Sequence, residues 1–112
     1  INISRIYKKY LVQKNYSKFD ENLKRHAYHI FAIRVKKRDE FIKKLKKYKI
    51  DSSIHYSYLL PKINIFSKYG QKFHKFNNAS KICKELVSLP LYPELQIKSQ
   101  LYVIKIVNKL LN

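Results

Sequence analysis

The pair His55-Tyr56 closes the stretch "IDSSIHY" (50–56), which is rich in β-branched and aromatic residues. Beyond it the chain enters a segment with no regular period. Side chains at a hand-over from strand to loop sit where a rigid scaffold meets ligand, and an imidazole changes charge near neutral pH. The plainer alternative is a histidine that satisfies a backbone carbonyl at a strand end. His26 and His29 stand three residues apart. On a helix that spacing can hold a metal, whereas on a strand the two rings point to opposite faces. Because the surrounding residues read as a strand, the expectation is packing at a sheet margin and no metal site.

The remaining reactive residues offer no catalytic set. Arg34 alternates with apolar neighbours in "AYHIFAIRV" (27–35). Buried, it would need a carboxylate or phosphate partner, so a surface-facing arginine is expected. Cys83, the single cysteine, falls on the apolar face of its segment, where inert core packing is the default. Asp51, Glu85 and Glu94 are isolated acids without a paired-carboxylate pattern.

These residues must be positioned by a chain of 112 residues, enough for one domain with a real core at 46% hydrophobic content. The net charge of +18 invites a nucleic-acid reading, with Tyr56, Tyr58, Phe66 and Tyr69 available to stack on bases. Against it, only Arg5, Arg25, Arg34 and Arg38 among the 25 basic residues are arginine, and the lysines are spread from Lys8 to Lys109. Arginine is the residue of bidentate phosphate and guanine contacts, while lysine also serves as surface filler. A small basic RNA- or DNA-binding module is therefore the second reading. One cysteine excludes an intramolecular disulfide, so a reducing, cytoplasmic setting is expected. No apolar run approaches the roughly 20 residues that span a bilayer, and no signal peptide is recognisable. The chain starts at Ile1 and contains no methionine, so it is expected to begin inside a longer product.

Periodicity supplies the elements. Residues 2–14 carry Ile3, Ile6, Tyr7, Tyr10 and Leu11 at helical spacing, and 15–25 are polar and aperiodic. Residues 27–35 read as a strand. Arg38-Asp39 opens a helix through about Tyr48 with a Phe41, Ile42, Leu45 stripe. A second strand is expected over 50–56, then an irregular segment over 57–75 punctuated by Pro61 and Gly70. "NNASKICKEL" (77–86) is a helix that Asn77 or Asn78 can cap, with Ala79, Ile82, Cys83 and Leu86 on one face. The last helix, 96–111, is expected to turn Ile97, Leu101, Ile104, Val107 and Leu111 inward. Between the last two helices lies "LVSLPLYPEL" (86–95), with two of the chain's three prolines. Proline lacks the N–H a central ladder needs, so this segment is expected at a sheet edge or strand terminus. The order predicts an α+β fold, a small antiparallel-rich sheet with helices packed on one face.

The succession "HAYHIFAIRV" (26–35), "RDEFIKKLKKYKIDSSIHY" (38–56) and "ASKICKELVSLPLYPEL" (79–95) resembles the C-terminal part of the DegT/DnrJ/StrS family of pyridoxal-phosphate-dependent sugar aminotransferases. The resemblance implies the C-terminal small domain of a PLP-dependent transferase fold, similar to that of aspartate aminotransferase, over residues 26–112. Residues 1–14 would end the helix that joins it to the large domain, and 15–25 would be a loop. The large domain, with the cofactor lysine, the aspartate on the pyridine nitrogen and the phosphate-binding residues, has no counterpart in this sequence. The whole enzyme would use pyridoxal phosphate, move an amino group from a donor such as glutamate to a keto-sugar nucleotide, and act as a homodimer. The fragment alone is expected to bind no cofactor and to be inactive. By the same resemblance, His55 and Tyr56 would contact the nucleotide-sugar substrate. The family usually has Gly where Lys49 stands, Pro and His where Ser57 and Pro61 stand, and "FP.AE" where this chain has "FNNAS" (76–80).

Overall fold

A computed structural model describes residues 2–12, 27–66 and 76–112 of the chain. Helix α1 spans Asn2–Tyr10, strand β1 Phe31–Arg34, helix α2 Arg38–Lys47, helix α3 Asn77–Glu85, strand β2 Leu86–Leu89 and helix α4 Ile97–Leu111. Two 3₁₀ turns, Leu60–Lys62 and Asn64–Phe66, punctuate the segment before α3. The expected loop over 15–25, His26, Tyr69 and Gly70 lie outside the described residues.

The two strands pair antiparallel with Phe31 opposite Leu89 and Ile33 opposite Val87. These four side chains share one face and are all buried, together with Tyr7 and Leu11 of α1, Phe41 and Leu45 of α2, and Val103, Ile104, Ile106 and Val107 of α4. The apolar face of a small sheet thus finds its cover in three helices, which is the α+β arrangement the element order predicts.

Several boundaries differ from expectation. The first strand is four residues long, not nine. Tyr28 has φ 49°, in the left-handed region, and an extended run cannot pass through such a residue. The expected strand over 50–56 is reduced to one bridge. The Ser53 and Ser88 backbones exchange both hydrogen bonds, Ser88 N–H to Ser53 O at 2.8 Å and Ser53 N–H to Ser88 O at 3.2 Å. The segment "LVSLPLYPEL" supplies one of the two strands of the sheet, as expected at an edge, and the prolines stand beyond the end of its ladder. The outer side of β2 is covered at Ser88 by the single bridge to Ser53. Helix α3 starts at Asn77 with Phe76 as its N-cap, and no side chain caps it, so neither Asn77 nor Asn78 plays the expected role. The buried stripe of α4 is Gln100, Val103, Ile104, Ile106 and Val107, while Ile97 and Leu101 are exposed. Ile104 and Val107 face inward as expected and Leu111 packs partly against the core, while at the start of the helix the inward position belongs to Gln100, which looks polar in sequence.

That glutamine joins α4 to α1. Gln100 is fully buried, and its Nε2 donates to the Ile3 carbonyl at 2.6 Å. Further along the same two helices, the Asn108 amide donates to the Tyr10 carbonyl and accepts from the Val12 N–H, each at 3.0 Å. One side chain thereby satisfies both a carbonyl and an N–H where α1 ends.

Helix α2 ends in a Schellman motif. The Ile50 N–H reaches the Leu45 carbonyl at 3.1 Å and the Lys49 N–H reaches that of Lys46 at 3.0 Å. Leu45 and Ile50 are both buried, giving the apolar contact that accompanies the motif. Lys49 sits at its left-handed position with φ 57°. A side chain there crowds the following carbonyl, at a cost of roughly 1–2 kcal/mol that glycine escapes, less the extra freedom glycine loses on folding. Lys49→Gly should therefore raise stability by about 0.5–1 kcal/mol in urea unfolding. A decrease would show that the lysine makes an unseen compensating contact.

Candidate functional site

The segment that leaves the Schellman turn carries the candidate site. Ile50 is anchored in the core, Ser53 is hydrogen-bonded to β2, and His55 follows two residues later at a bend. His55 Nδ1 lies 2.9 Å from the Ser88 hydroxyl oxygen. The ring is half-buried on the face of β2 opposite the hydrophobic core. Tyr56, next along, is 76% exposed, and its carbonyl accepts a hydrogen bond from the Cys83 thiol at 2.9 Å.

His55 borders two cavities. One, of about 340 Å³, has a mixed wall, in which His29, Asp51, Ser53 and Ser88 stand beside Ile30, Leu89 and Leu91. The other, of about 860 Å³, is an apolar groove between the 55–63 segment and α3, walled by Tyr56, Tyr58, Leu60, Ile63, Ile82 and Cys83 among others. An imidazole between a cavity with hydrogen-bonding groups in its wall and an apolar groove suits a ligand with a hydrogen-bonding part and a flat or apolar part.

The structure thus brings His55 and Tyr56 together at one site. His29 joins His55 around the smaller cavity, while His26 lies outside the described residues. Arg34 is on the surface, as expected, and finds a carboxylate there: its Nε and Nη2 donate to one Glu85 oxygen at 3.1 and 2.7 Å. Glu85, read from sequence as an isolated acid, is therefore an ion-pair partner. Cys83 corrects the core-packing expectation, because it is half-buried and lines the groove. The whole face of Ala79, Ile82, Cys83 and Leu86 does the same, and no residue of α3 is fully buried. The aromatic residues offered for base stacking do not alternate with lysines there. Tyr56 and Tyr58 stand among Leu59, Leu60 and Ile63, and no lysine lines the groove.

Sequence reasoning missed Ser88. Its signal was available: it is the one polar residue in the otherwise apolar run "LVSLPL", and a buried polar side chain is retained where it has a partner.

The sequence profile of the DegT/DnrJ/EryC1/StrS aminotransferase family matches residues 2–108, nearly the whole chain. The chain belongs to that family. It is 36% identical over 80 residues to the pleiotropic regulatory protein of Geobacillus stearothermophilus, covering 71% of this chain and 22% of that protein. It is 33% identical over 86 residues to the dTDP-3-amino-3,6-dideoxy-alpha-D-galactopyranose transaminase of Aneurinibacillus thermoaerophilus, covering 77% and 23%. In fold it superimposes on S. venezuelae DesV, crystallised in complex with a ketimine intermediate, with a TM-score of 0.86 at 20% identity, over 99% of this chain and 30% of that one. An aminotransferase of the family from Brucella abortus gives a TM-score of 0.84 over the same shares. The chain therefore spans less than a third of the length of these relatives.

Pyridoxal phosphate, the cofactor of this family of aminotransferases, needs a lysine in a cleft to carry it. Among the described residues no lysine or arginine lines either cavity at His55, and every lysine but Lys8 is exposed. The residues present do not fit a cofactor-holding role, so no step through the cofactor is derived for this chain. Among the described residues no helix is long and apolar enough to cross a membrane.

Proposed function

We propose that this chain is the C-terminal small domain of a sugar-nucleotide aminotransferase, and that His55 and Tyr56 form part of the wall that receives the nucleotide sugar. In the whole enzyme, amino transfer from a donor such as glutamate to a keto-sugar nucleotide would take place on pyridoxal phosphate held by a large domain. The smaller piece would cover the cleft, exclude water and orient the substrate. The large domain and a second subunit are the partners this reading requires, in the cytoplasm and in the supply of amino sugars for polysaccharides. The observation that carries it is the position of His55, held by β2 at the border of a cavity with hydroxyl, carboxyl and imidazole groups in its wall and an apolar groove.

A titration with a dTDP-sugar, followed through the ring resonances of the isotopically labelled chain, tests the reading. Saturable shifts at His55 and Tyr56 are expected, and His55→Ala should weaken binding about tenfold, the equivalent of one lost hydrogen bond to a charged group. Shifts spread over the lysine-bearing surfaces that vanish with added salt would instead mark unspecific charge attraction and overturn it. The chain alone is expected to be inactive. Incubation with pyridoxal phosphate followed by borohydride should leave no single lysine labelled stoichiometrically, and one such lysine would refute the assignment of the cofactor to a large domain.

A further inference from the structure

Ser88 stands in β2 with backbone pairing on both sides of the strand. Its N–H and carbonyl are both spent on Ser53, while its neighbours Val87 and Leu89 pair with Ile33 and Phe31 of β1. Its side chain therefore points to the face opposite the core, and only 5% of the residue is exposed. Among the described residues the His55 imidazole is the partner recorded for its hydroxyl. A serine hydroxyl carries one proton and two lone pairs. With the imidazole as its single protein partner, accepting from the ring would turn the O–H proton toward the cavity of about 340 Å³ that Ser88 also lines, with no protein acceptor in reach there. Donating to Nδ1 uses that proton within the site and leaves only lone pairs unused, the less costly arrangement where nothing polar fills the cavity.

We propose that Ser88 is a positioning residue for His55: its hydroxyl donates to Nδ1, holds the neutral ring as the Nε2–H tautomer, and so presents a hydrogen-bond donor on the free edge of the ring. When the ring is protonated, the serine turns and accepts from Nδ1–H, and Nε2 remains a donor. His55 is thereby committed to acceptor oxygens, such as those of a diphosphate or a sugar hydroxyl, in both protonation states. This last step rests on the proposed role of His55 in nucleotide-sugar binding, whereas the tautomer itself does not.

Long-range proton–nitrogen correlation of the ¹⁵N-labelled chain, without ligand and at alkaline pH, reads the tautomer directly. The wild-type ring should show a bare Nδ1 and a protonated Nε2 as a single form. Ser88→Ala should release it to a mixture of both tautomers. Ser88→Thr, which keeps the hydroxyl and has the 340 Å³ cavity for its methyl group, should restore the single form. A wild-type proton on Nδ1 would overturn the proposal, and so would unchanged populations in Ser88→Ala, even if dTDP-sugar binding fell. If the tautomer is as stated, Ser88→Ala should also weaken a dTDP-sugar about fivefold to tenfold, with Ser88→Thr near wild type. Loss of the tautomer with intact sugar binding sinks the positioning role and leaves the binding reading standing. An ordered tautomer with no sugar binding does the reverse.

Discussion

Tyr7→Phe should destabilise the chain by about 1–3 kcal/mol and flatten its loss of stability at alkaline pH. Tyr7 is fully buried, its ring stacks on Phe31 at 4.8 Å between centroids, and its hydroxyl donates to the Pro90 carbonyl at 2.8 Å. Phenylalanine keeps the ring contact and deletes the hydroxyl that reaches the Pro90 carbonyl beyond β2. The cost is therefore that of a lost hydrogen bond and a carbonyl left without its donor. The pH effect follows from the same burial. Desolvation, and secondarily the nearby Tyr92, push the Tyr7 phenol well above the ordinary tyrosine range. The folded state keeps this proton where an unfolded tyrosine, with its ordinary pKa near 10, gives it up. Stability is thus fully present below about pH 10 and falls as the pH rises beyond it, by about 1.4 kcal/mol per pH unit for one proton. Urea unfolding of wild type and Tyr7→Phe between about pH 8 and about pH 11 isolates the contribution, since the other tyrosines and lysines are common to both. Parallel pH slopes would show that Tyr7 reaches water.

Much of this architecture could be read from periodicity because helices and strands bury one face each. Phe41 and Leu45 announced α2, and Phe31, Ile33 and Val35 announced β1 through their alternation. What escaped were features set by partners distant in sequence. Gln100 is buried against the Ile3 carbonyl, 97 residues away, and no local pattern distinguishes it from a solvent-facing glutamine. The strand over 50–56 shrank to one bridge because residues beyond Ser53 turn toward α3, where the Tyr56 carbonyl meets the Cys83 thiol. The site itself was half legible. His55 and Tyr56 were found through a family resemblance and their place at a strand end. Ser88 needed only the question of why a hydroxyl should interrupt an apolar strand. The left-handed Lys49 was visible as a departure, and its φ of 57° shows that the turn kept its shape and accepted the lysine.

Leu45→Ala is the substitution expected to cost most, about 2–5 kcal/mol, and its consequence should reach the site. Leu45 is fully buried in the cluster that joins α2 to the sheet and α4, so alanine leaves a cavity that rigid neighbours can only partly fill. The loss approaches the whole stability of a small domain, commonly about 5–15 kcal/mol, and should move the urea midpoint far toward zero. The same residue closes the Schellman motif. Its carbonyl holds the Ile50 N–H, and its side chain shares the core cluster with that of Ile50, the last anchor before Asp51 and the Ser53 bridge. Loosening Ile50 frees the segment that carries His55, so the contact with Ser88 should broaden or vanish at denaturant concentrations where β1 and β2 remain paired. Hydrogen exchange distinguishes this from plain global weakening. In Leu45→Ala, the Ser53 and Ser88 amides that bond each other should lose protection before those of Ile33 and Val87. If all four amides exchange together, the 50–56 segment and the sheet unfold as one unit, and the site owes its geometry to the fold as a whole and not to the turn beneath it.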